Sequence, residues 1–395
     1  MNILNFHVSL IIGSIGYSSK NMWDYRYLSR IDYRTLPLIL SLMWISMMVI
    51  SSMTGTADTD AFLTKSVKIQ IQWFMIGWVV YFFCVGMDYR KLRSWSWVFY
   101  GVILLLLVGL FFTAPIQNVH RWYRVPFLGR EFQPSEYAKL IVVIALSCFL
   151  ETKGRRVSSW GTAFQALAIV FVPFILILKQ PDLGTALVLF PIALVMFYIG
   201  GINKKVVAAM SIVGVVALLF VGMLFTGVLS HEGLRPYATK FLKEYQYERL
   251  NPHTYHQKAA QNAIGLGGVT GTGWHKSEFS GREWLPAAHT DSVFAAYAEE
   301  FGLVGVFFIL LFFFGLIYFS FQVTAGAKDT FGRLLSAGIT VYLAVHIIVN
   351  IGMMCGFLPI TGVPLILVTF GGSSVVSAMM ALGILQSIYS RRFMF

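Results

Sequence analysis

The sequence predicts an all-α integral membrane protein with about ten transmembrane helices, and three observations predict it. Hydrophobic residues make up 57% of the 395-residue chain and charged residues only 12%, too apolar a balance for a water-soluble or disordered chain. Aromatic residues reach 16%, with 34 Phe and 10 Trp, which suits lipid-facing helices with interfacial anchors. The apolar residues also gather into ten long runs, and a helix needs about 20 of them to cross a bilayer.

The runs are 36–53, 69–87, 97–114, 136–151, 162–178, 183–200, 206–229, 291–321, 333–355 and 365–389, the fourth being short. Ahead of them, Val8 to Gly16 is too short to span, and no basic residue precedes it as in a secretory signal peptide. Residues 1–35 therefore read as a cytoplasmic or interfacial segment and 36–395 as one polytopic membrane domain. The long connection 230–289 reads as a structured extracytoplasmic loop, partly amphipathic between Arg235 and Lys258; Gly and Pro fragment it too much for a separate domain. No internal repeat or low-complexity linker divides the chain. Cys84, Cys148 and Cys355 each fall inside an apolar run, where a thiol acts as a small hydrophobe, so no disulfide framework is implied.

The net charge of +12 would suggest nucleic acid in a soluble chain, but here the basic residues lie between apolar runs. Anionic lipid head groups are the expected partners, not nucleic acid. With the N-terminus in the cytoplasm, sixteen Lys and Arg fall in inside segments and seven in outside ones, with seven more in the long loop. Long loops report topology poorly, so the sixteen against seven decide, and the expected orientation is N-in, C-in.

That orientation puts the N-termini of helices two, four, six, eight and ten on the outer face. The fourth opens with Gln133-Pro134-Ser135-Glu136, the sixth with Gln180-Pro181-Asp182-Leu183-Gly184-Thr185 and the eighth with His289-Thr290-Asp291; the tenth follows Pro359 to Pro364. Proline suits a first helical turn because its missing N–H is not needed there, and the free N–H groups beside it attract anions.

Four groups of residues are candidates for chemistry. Asp291 stands at the mouth of a very hydrophobic helix; it or Thr290 can cap the helix by accepting backbone N–H bonds, or Asp291 can act as a general base, and the two roles are compatible. An ordinary Asp, with a pKa of about 3.9, is ionised at neutral pH. The loop Gln117 to Glu131 carries Arg121, Trp122, Arg124 and Arg130 against the positive-inside trend: either solvated arginines beside an interfacial Trp, or Arg121 holding phosphate while Trp122 covers a sugar face or lipid tail. Just beyond, Glu136 and Lys139 at i,i+3 can pair with each other, and Lys179 and Asp182 bracket the next helix start in the same way. Glu283 precedes Asp291 by eight residues and alone reads as a surface carboxylate, whereas Glu299 and Glu300, two turns into helix eight, are expected to hydrogen-bond to another helix or face a polar cavity.

Other patterns do not fit. The glycine-rich run from Gly265 to Gly273 follows no strand and lacks a Gly-Lys-Ser/Thr ending, so it is not a nucleotide loop. His253 and His256 lack partners for a tetrahedral metal site and read as solvated loop histidines. Nothing in the spacing of Ser292, His289 and Asp291 supports a nucleophilic triad.

Taken in order, Arg121-Trp122, Gln133 to Glu136, Gln180 to Thr185, His289 to Asp291, Glu299-Glu300, Asn350 to Met353, Leu358 to Pro364 and Gly371 to Ser374 resemble the SEDS family (shape, elongation, division and sporulation) of integral-membrane peptidoglycan glycosyltransferases. The resemblance runs from about Arg30 to the C-terminus, and Arg30-Ile31-Asp32-Tyr33 is similar to its RodA-like rod-shape branch more than to the FtsW-like division branch. This chain departs from the pattern where Asp291 is followed by Ser-Val-Phe instead of Phe-Ile-Phe, where Ala287 replaces a common acidic residue, and where Val368-Thr369-Phe370 replaces Ile-Ser-Tyr.

The resemblance implies a multi-pass enzyme of the bacterial cytoplasmic membrane that polymerises lipid II for cell elongation and shape, releasing polyprenyl pyrophosphate. It gives Asp291 the catalytic role, with Glu283, Arg121 and Trp122 in support, and Ser135, Glu136, Lys139, Lys179, Asp182, His289 and Thr290 around the substrate. It implies a class B penicillin-binding protein as partner, establishes no cofactor, and leaves open a divalent cation, Mg or Mn. Two readings of other classes stand beside it: a lipid II flippase, which would place polar residues through the bilayer's depth, and a non-catalytic scaffold.

Overall fold

A computed structural model describes residues 23–392, apart from 56–61, 116–118, 126–129, 239, 241–243 and 281–283. The chain is an all-α membrane protein. Its helices are α1 (Thr35–Thr54), α2 (Lys65–Gly86), α3 (Arg90–Gly109), α4 (Pro134–Lys153), α5 (Trp160–Lys179), α6 (Leu183–Gly200), α7 (Lys204–Phe225), three short ones, α8 (His231–Ala238), α9 (Glu244–Glu248) and α10 (Tyr255–Gly267), then α11 (Val293–Gly326), α12 (Thr330–Met354) and α13 (Gly372–Ser390). A two-stranded antiparallel ribbon, β1 (Tyr123–Val125) and β2 (Arg130–Phe132), precedes α4.

Among the described residues, nine helices are long and apolar enough to cross a membrane. The tenth expected span, α4, carries Glu136, Lys139, Glu151 and Lys153, yet nearly every residue from Pro134 to Leu150 is buried. It packs against α3, α5, α6, α12 and α13. A helix wrapped by others faces little lipid, so it can hold charges that an outer helix cannot. At the other extreme, only 6% of the apolar window of α7 is buried, leaving Ile212, Val215, Leu218 and Leu219 exposed to lipid.

The tightest pairing joins α2 to α13, where small residues let backbones approach: a Cβ on Gly383 would lie 2.7 Å from the Tyr81 carbonyl oxygen. Buried Arg391 closes the far end of this pair by donating to the carbonyls of Val85 at 3.1 Å and Gly86 at 2.8 Å, the last of α2. Beside it, the Gln386 side chain bonds Asp32 N at 2.8 Å and Thr35 Oγ1 at 2.8 Å, docking the entry to α1.

Two expectations are corrected. The run 365–389 is not one helix: α13 starts at Gly372, and Leu365, Ile366, Leu367 and Val368 form a buried non-helical segment. Pro364 cannot extend a helix backwards and Gly371-Gly372 interrupts it; the backbone is satisfied instead by Thr369 Oγ1, accepting from Leu365 N at 2.8 Å, and by Phe370 N donating to His289 O at 3.0 Å. The second concerns α11, whose helical φ/ψ break at Gly302 (φ 60°, ψ −161°). From there to Gly326 it is about 36 Å long, enough for one tilted crossing, so Glu299 and Glu300 precede the span.

The glycine-rich run fills that break. Gly273 N donates to Glu300 O at 3.0 Å, and Leu303 N donates to Gly268 O at 2.9 Å, replacing lost helical bonds. Backbones this close exclude side chains: a Cβ on Gly271 (φ +81°) would lie 2.1 Å from Glu300 O. Glu299 accepts from Phe279 N at 2.7 Å, from Ser280 N at 3.0 Å and from the Ser280 hydroxyl, so its partners belong to the loop, not to another helix. Glu300 takes His275 N at 3.2 Å and the Ser52 hydroxyl of α1. Gly271→Ala is expected to lower thermal stability in detergent by at least about 1–3 kcal/mol, from strain alone. Gly265→Ala, in open space on the same run, is expected to be neutral or stabilising. Equal melting of the two variants would contradict the splice.

Candidate active site

The N-terminal ends of α4, α6, α11 and α13 meet at one end of the bundle. Gln133 N, just before α4, donates to Ser373 Oγ of α13 at 3.0 Å, and Ser135 Oγ donates to Asp182 Oδ2 at 3.1 Å. Asp182 is the N-cap of α6, accepting from Thr185 N at 3.4 Å, and Gln133 Nε2 also donates to it at 3.0 Å. Gly184 lets α6 abut the segment before α13, since a Cβ there would lie 2.4 Å from Thr361 O.

Asp291 sits half-buried in this meeting point. Its carbonyl accepts from Asn350 Nδ2 of α12 at 3.2 Å, and the same amide donates to Val363 O at 2.8 Å. Thr369 Oγ1 donates to Thr290 O at 3.3 Å, so residues 289–291 are bolted to 363–370 along their length. The carboxylate lies against Gly362, where a Cβ would be 3.5 Å from Oδ2. Capping is not its role: the N-cap of α11 is Ser292, which makes no side-chain capping bond, and Thr290 Oγ1 turns back to Ala287 O at 3.3 Å.

Burial holds the Asp291 carboxyl above the ordinary 3.8, while His256, Arg249 and Arg121 pull it down and Asp182 pushes it up. Burial also lowers His256 and His289 below the usual imidazole value, with Asp291 opposing in both cases. Arg121 Nε donates to Gln180 O at 3.2 Å and its guanidinium also bonds Pro181 O, so it is anchored on the end of α5 while acting on Asp291. Trp122 is half-buried beside it. Arg249 reaches in from the long loop and donates to Thr361 O at 3.1 Å.

The other predicted site residues are placed as follows. Ser135 and Asp182 are buried in the α4–α6 contact, and Lys179 is exposed. Lys139 is fully buried, 2.8 Å from Glu136 Oε1 and 2.7 Å from His346 Nε2. The His289 ring packs edge-on to Phe370 with centroids 5.8 Å apart. Glu283 lies outside the described residues. Sequence reasoning missed Arg249, counted only as a loop charge, and treated His256 as solvated, although its Nε2 is 2.6 Å from Ser292 Oγ. Asn350 lay within a quoted motif, and an Asn inside an apolar run was the available signal. Among the described residues no group of three or more His, Cys, Asp or Glu gathers as a cation cage. Asn350→Ala is expected to destabilise the protein by about 1–3 kcal/mol by orphaning two carbonyls; an unshifted melting curve would show that the clasp is idle.

The half-buried Asp291 carboxylate, on which Arg121, Arg249 and His256 act where several helix N-termini converge, is the candidate active site of a multi-pass membrane protein. The family described as Cell cycle protein, which takes in FtsW, RodA and SpoVE, matches residues 33–392, and the chain belongs to it. It is 32% identical over 376 residues to peptidoglycan glycosyltransferase MrdB of Escherichia coli K12, covering 95% of this chain and 97% of that protein. It is 32% identical over 335 residues to stage V sporulation protein E of Bacillus subtilis, covering 82% and 87%. Among solved structures, a chain from work on structural coordination of polymerization and crosslinking by a peptidoglycan synthase complex superposes with a TM-score of 0.73 at 26% identity, covering 92% of this chain and 99% of that one. A variant of Thermus thermophilus rod shape determining protein RodA, at 24% identity and a TM-score of 0.66 over 92% and 98%, supports the fold.

Proposed function

We propose that the chain is a peptidoglycan glycosyltransferase that polymerises lipid II at the outer face of the cytoplasmic membrane, with Asp291 as general base. The observation that carries this reading is the half-buried Asp291 carboxylate, held by the Asn350 clasp against Gly362 where the helix N-termini meet, with the charges of Arg121, Arg249 and His256 bearing on it. Asp291 removes the proton of the acceptor GlcNAc 4-hydroxyl, whose oxygen attacks MurNAc C1 of the donor and expels polyprenyl pyrophosphate. Inversion needs no covalent nucleophile. The leaving group is already acidic, so charge stabilisation matters more than a general acid, and the two arginines and the helix N-termini supply it. The substrate's tail stays in the bilayer, since its burial contributes about 0.8 kcal/mol per CH2.

The N-in, C-in orientation, supported by the sixteen-to-seven charge asymmetry, puts this end of the bundle outside. A class B penicillin-binding protein is the proposed partner; the similar chain in a complex that couples polymerization to crosslinking supports it. The flippase reading is favoured less because the charged groups around Asp291 cluster at one end. Glycan strands formed from lipid II in detergent, without sealed vesicles, are the expected result; translocation in vesicles with no strands in detergent would overturn the enzyme.

A further inference from the structure

A groove of about 290 Å³ opens toward the membrane between α5, α6 and α7. Trp160 and Leu167 of α5, Phe190 of α6, and Ala209 and Val213 of α7 line it; among the described residues its lining is apolar except for Lys205, in the first turn of α7. It stays open because α7 packs chiefly on α6. From Lys205 to Val213 it runs about 12 Å along α7, close to half of a hydrocarbon core about 30 Å thick. Its deep end closes where α7 meets Phe190: a Cβ on Gly214 would lie 3.2 Å from Cε1 of that ring. The groove thus has the length of an acyl chain from one leaflet.

Its mouth is cationic. Lys204 and Lys205 begin α7 and Arg155 and Arg156 lie in the turn before α5, all four exposed. The two turns adjoin, since a Cβ on Gly201 would lie 3.5 Å from Val157 Cγ1. Side-chain caps fix both helix starts: Ser159 Oγ accepts from Thr162 N at 3.2 Å and Asn203 Oδ1 from Lys205 N at 3.0 Å. Residues 152–160 and 199–206 contain no acid, and Glu151, just before them, pairs with Arg93 at 3.1 Å. Trp160, 51% exposed, stands at the same level, where an indole suits the interface.

We propose that this groove binds an anionic phospholipid of the cytoplasmic leaflet, one acyl chain lying between α5 and α7 and the phosphate held at its mouth by Lys204, Lys205, Arg155 and Arg156. Cations without acids beside an apolar slot complement a lipid whose negative charge adjoins its hydrocarbon, whereas a zwitterionic head group would bring a further positive charge to them. The leaflet follows from the N-in, C-in orientation on which the proposed function also rests. Asp291 lies at the opposite end of the bundle, so this lipid is not the substrate. The bound chain gives α7 the packing it lacks on that side, and α7 leads into the loop that carries Arg249.

In the full-length protein in detergent, native mass spectrometry is expected to show phosphatidylglycerol bound in preference to phosphatidylcholine. Lys204→Gln/Lys205→Gln is expected to weaken phosphatidylglycerol binding at least about 10-fold. Ala209→Phe, which keeps every charge but fills the slot, is expected to weaken it too, and glycerol 1-phosphate, a head group without chains, is expected not to compete. Equal binding of the two lipids, undiminished binding by either variant, or competition by glycerol 1-phosphate would each overturn the site. An equal loss in Lys328→Gln/Arg333→Gln, at another turn on the same side, would overturn it in favour of diffuse surface charge. Labelling of Lys204→Cys only from outside the cell would instead overturn the leaflet and the orientation, whatever the lipid measurements give.

Discussion

Asp291→Asn is expected to lose at least about 10²-fold of lipid II polymerisation in purified protein, because positioned base catalysis contributes about 10²–10⁴-fold. The substitution keeps the shape of the side chain and the Asn350 clasp, which holds the backbone carbonyl. Stability should move the other way. Burial raises the carboxyl above its ordinary 3.8, so folding disfavours the ionised form. That penalty is absent below 3.8 and fully present once pH exceeds the raised value, so at neutral pH the Asn variant should melt at or above wild type. The gap should close on acidification, and wild-type activity should fall as pH drops through the same raised value. Strand synthesis by Asp291→Asn at near the wild-type rate would remove Asp291 from the mechanism; a large fall in its melting temperature at neutral pH would make Asp291 a structural residue.

Apolar runs made the membrane helices legible, since length and hydropathy act locally and lipid enforces both. Leu365–Val368 misled for the same reason: apolarity marks burial, not helicity, and Pro364 with Gly371-Gly372 breaks the helix while Thr369 and His289 satisfy the backbone. Glu299 and Glu300 seemed membrane-deep because nothing short of the Gly302 break shows that α11 is two helices, or that the glycine-rich run is its splint. The Asp291 neighbourhood was half legible. Its motif residues mark helix starts, which sequence can place. Arg249 and His256 arrive from the long loop, and no spacing rule brings positions 249, 256 and 291 together.

Lys139→Met is expected to destabilise the protein by about 3–5 kcal/mol, the cost of leaving a buried carboxylate without its partner. Lys139 and Glu136 are 0% and 2% exposed and 2.8 Å apart, in the helix that the other helices surround. The ammonium also donates to His346 Nε2 at 2.7 Å and lies 5.5 Å from the centre of the Tyr342 ring. His346 Nδ1 donates to Tyr342 O at 2.8 Å, which leaves Nε2 as an acceptor and makes the ring neutral. The lysine thus ties α4 to α12, one turn from Asn350, whose amide holds Asp291. A charge enclosed in this way cannot reach a pyrophosphate without opening the bundle, so its effect on catalysis should pass through α12. The double variant Glu136→Gln/Lys139→Met removes both charges at once and should cost less than the sum of the two single losses, by a coupling of about 0.5–3 kcal/mol in a thermal-melt cycle. Additive losses in that cycle would mean that the pair is not coupled. Loss of polymerisation by Lys139→Met at unchanged melting temperature would mean that the lysine acts on substrate directly.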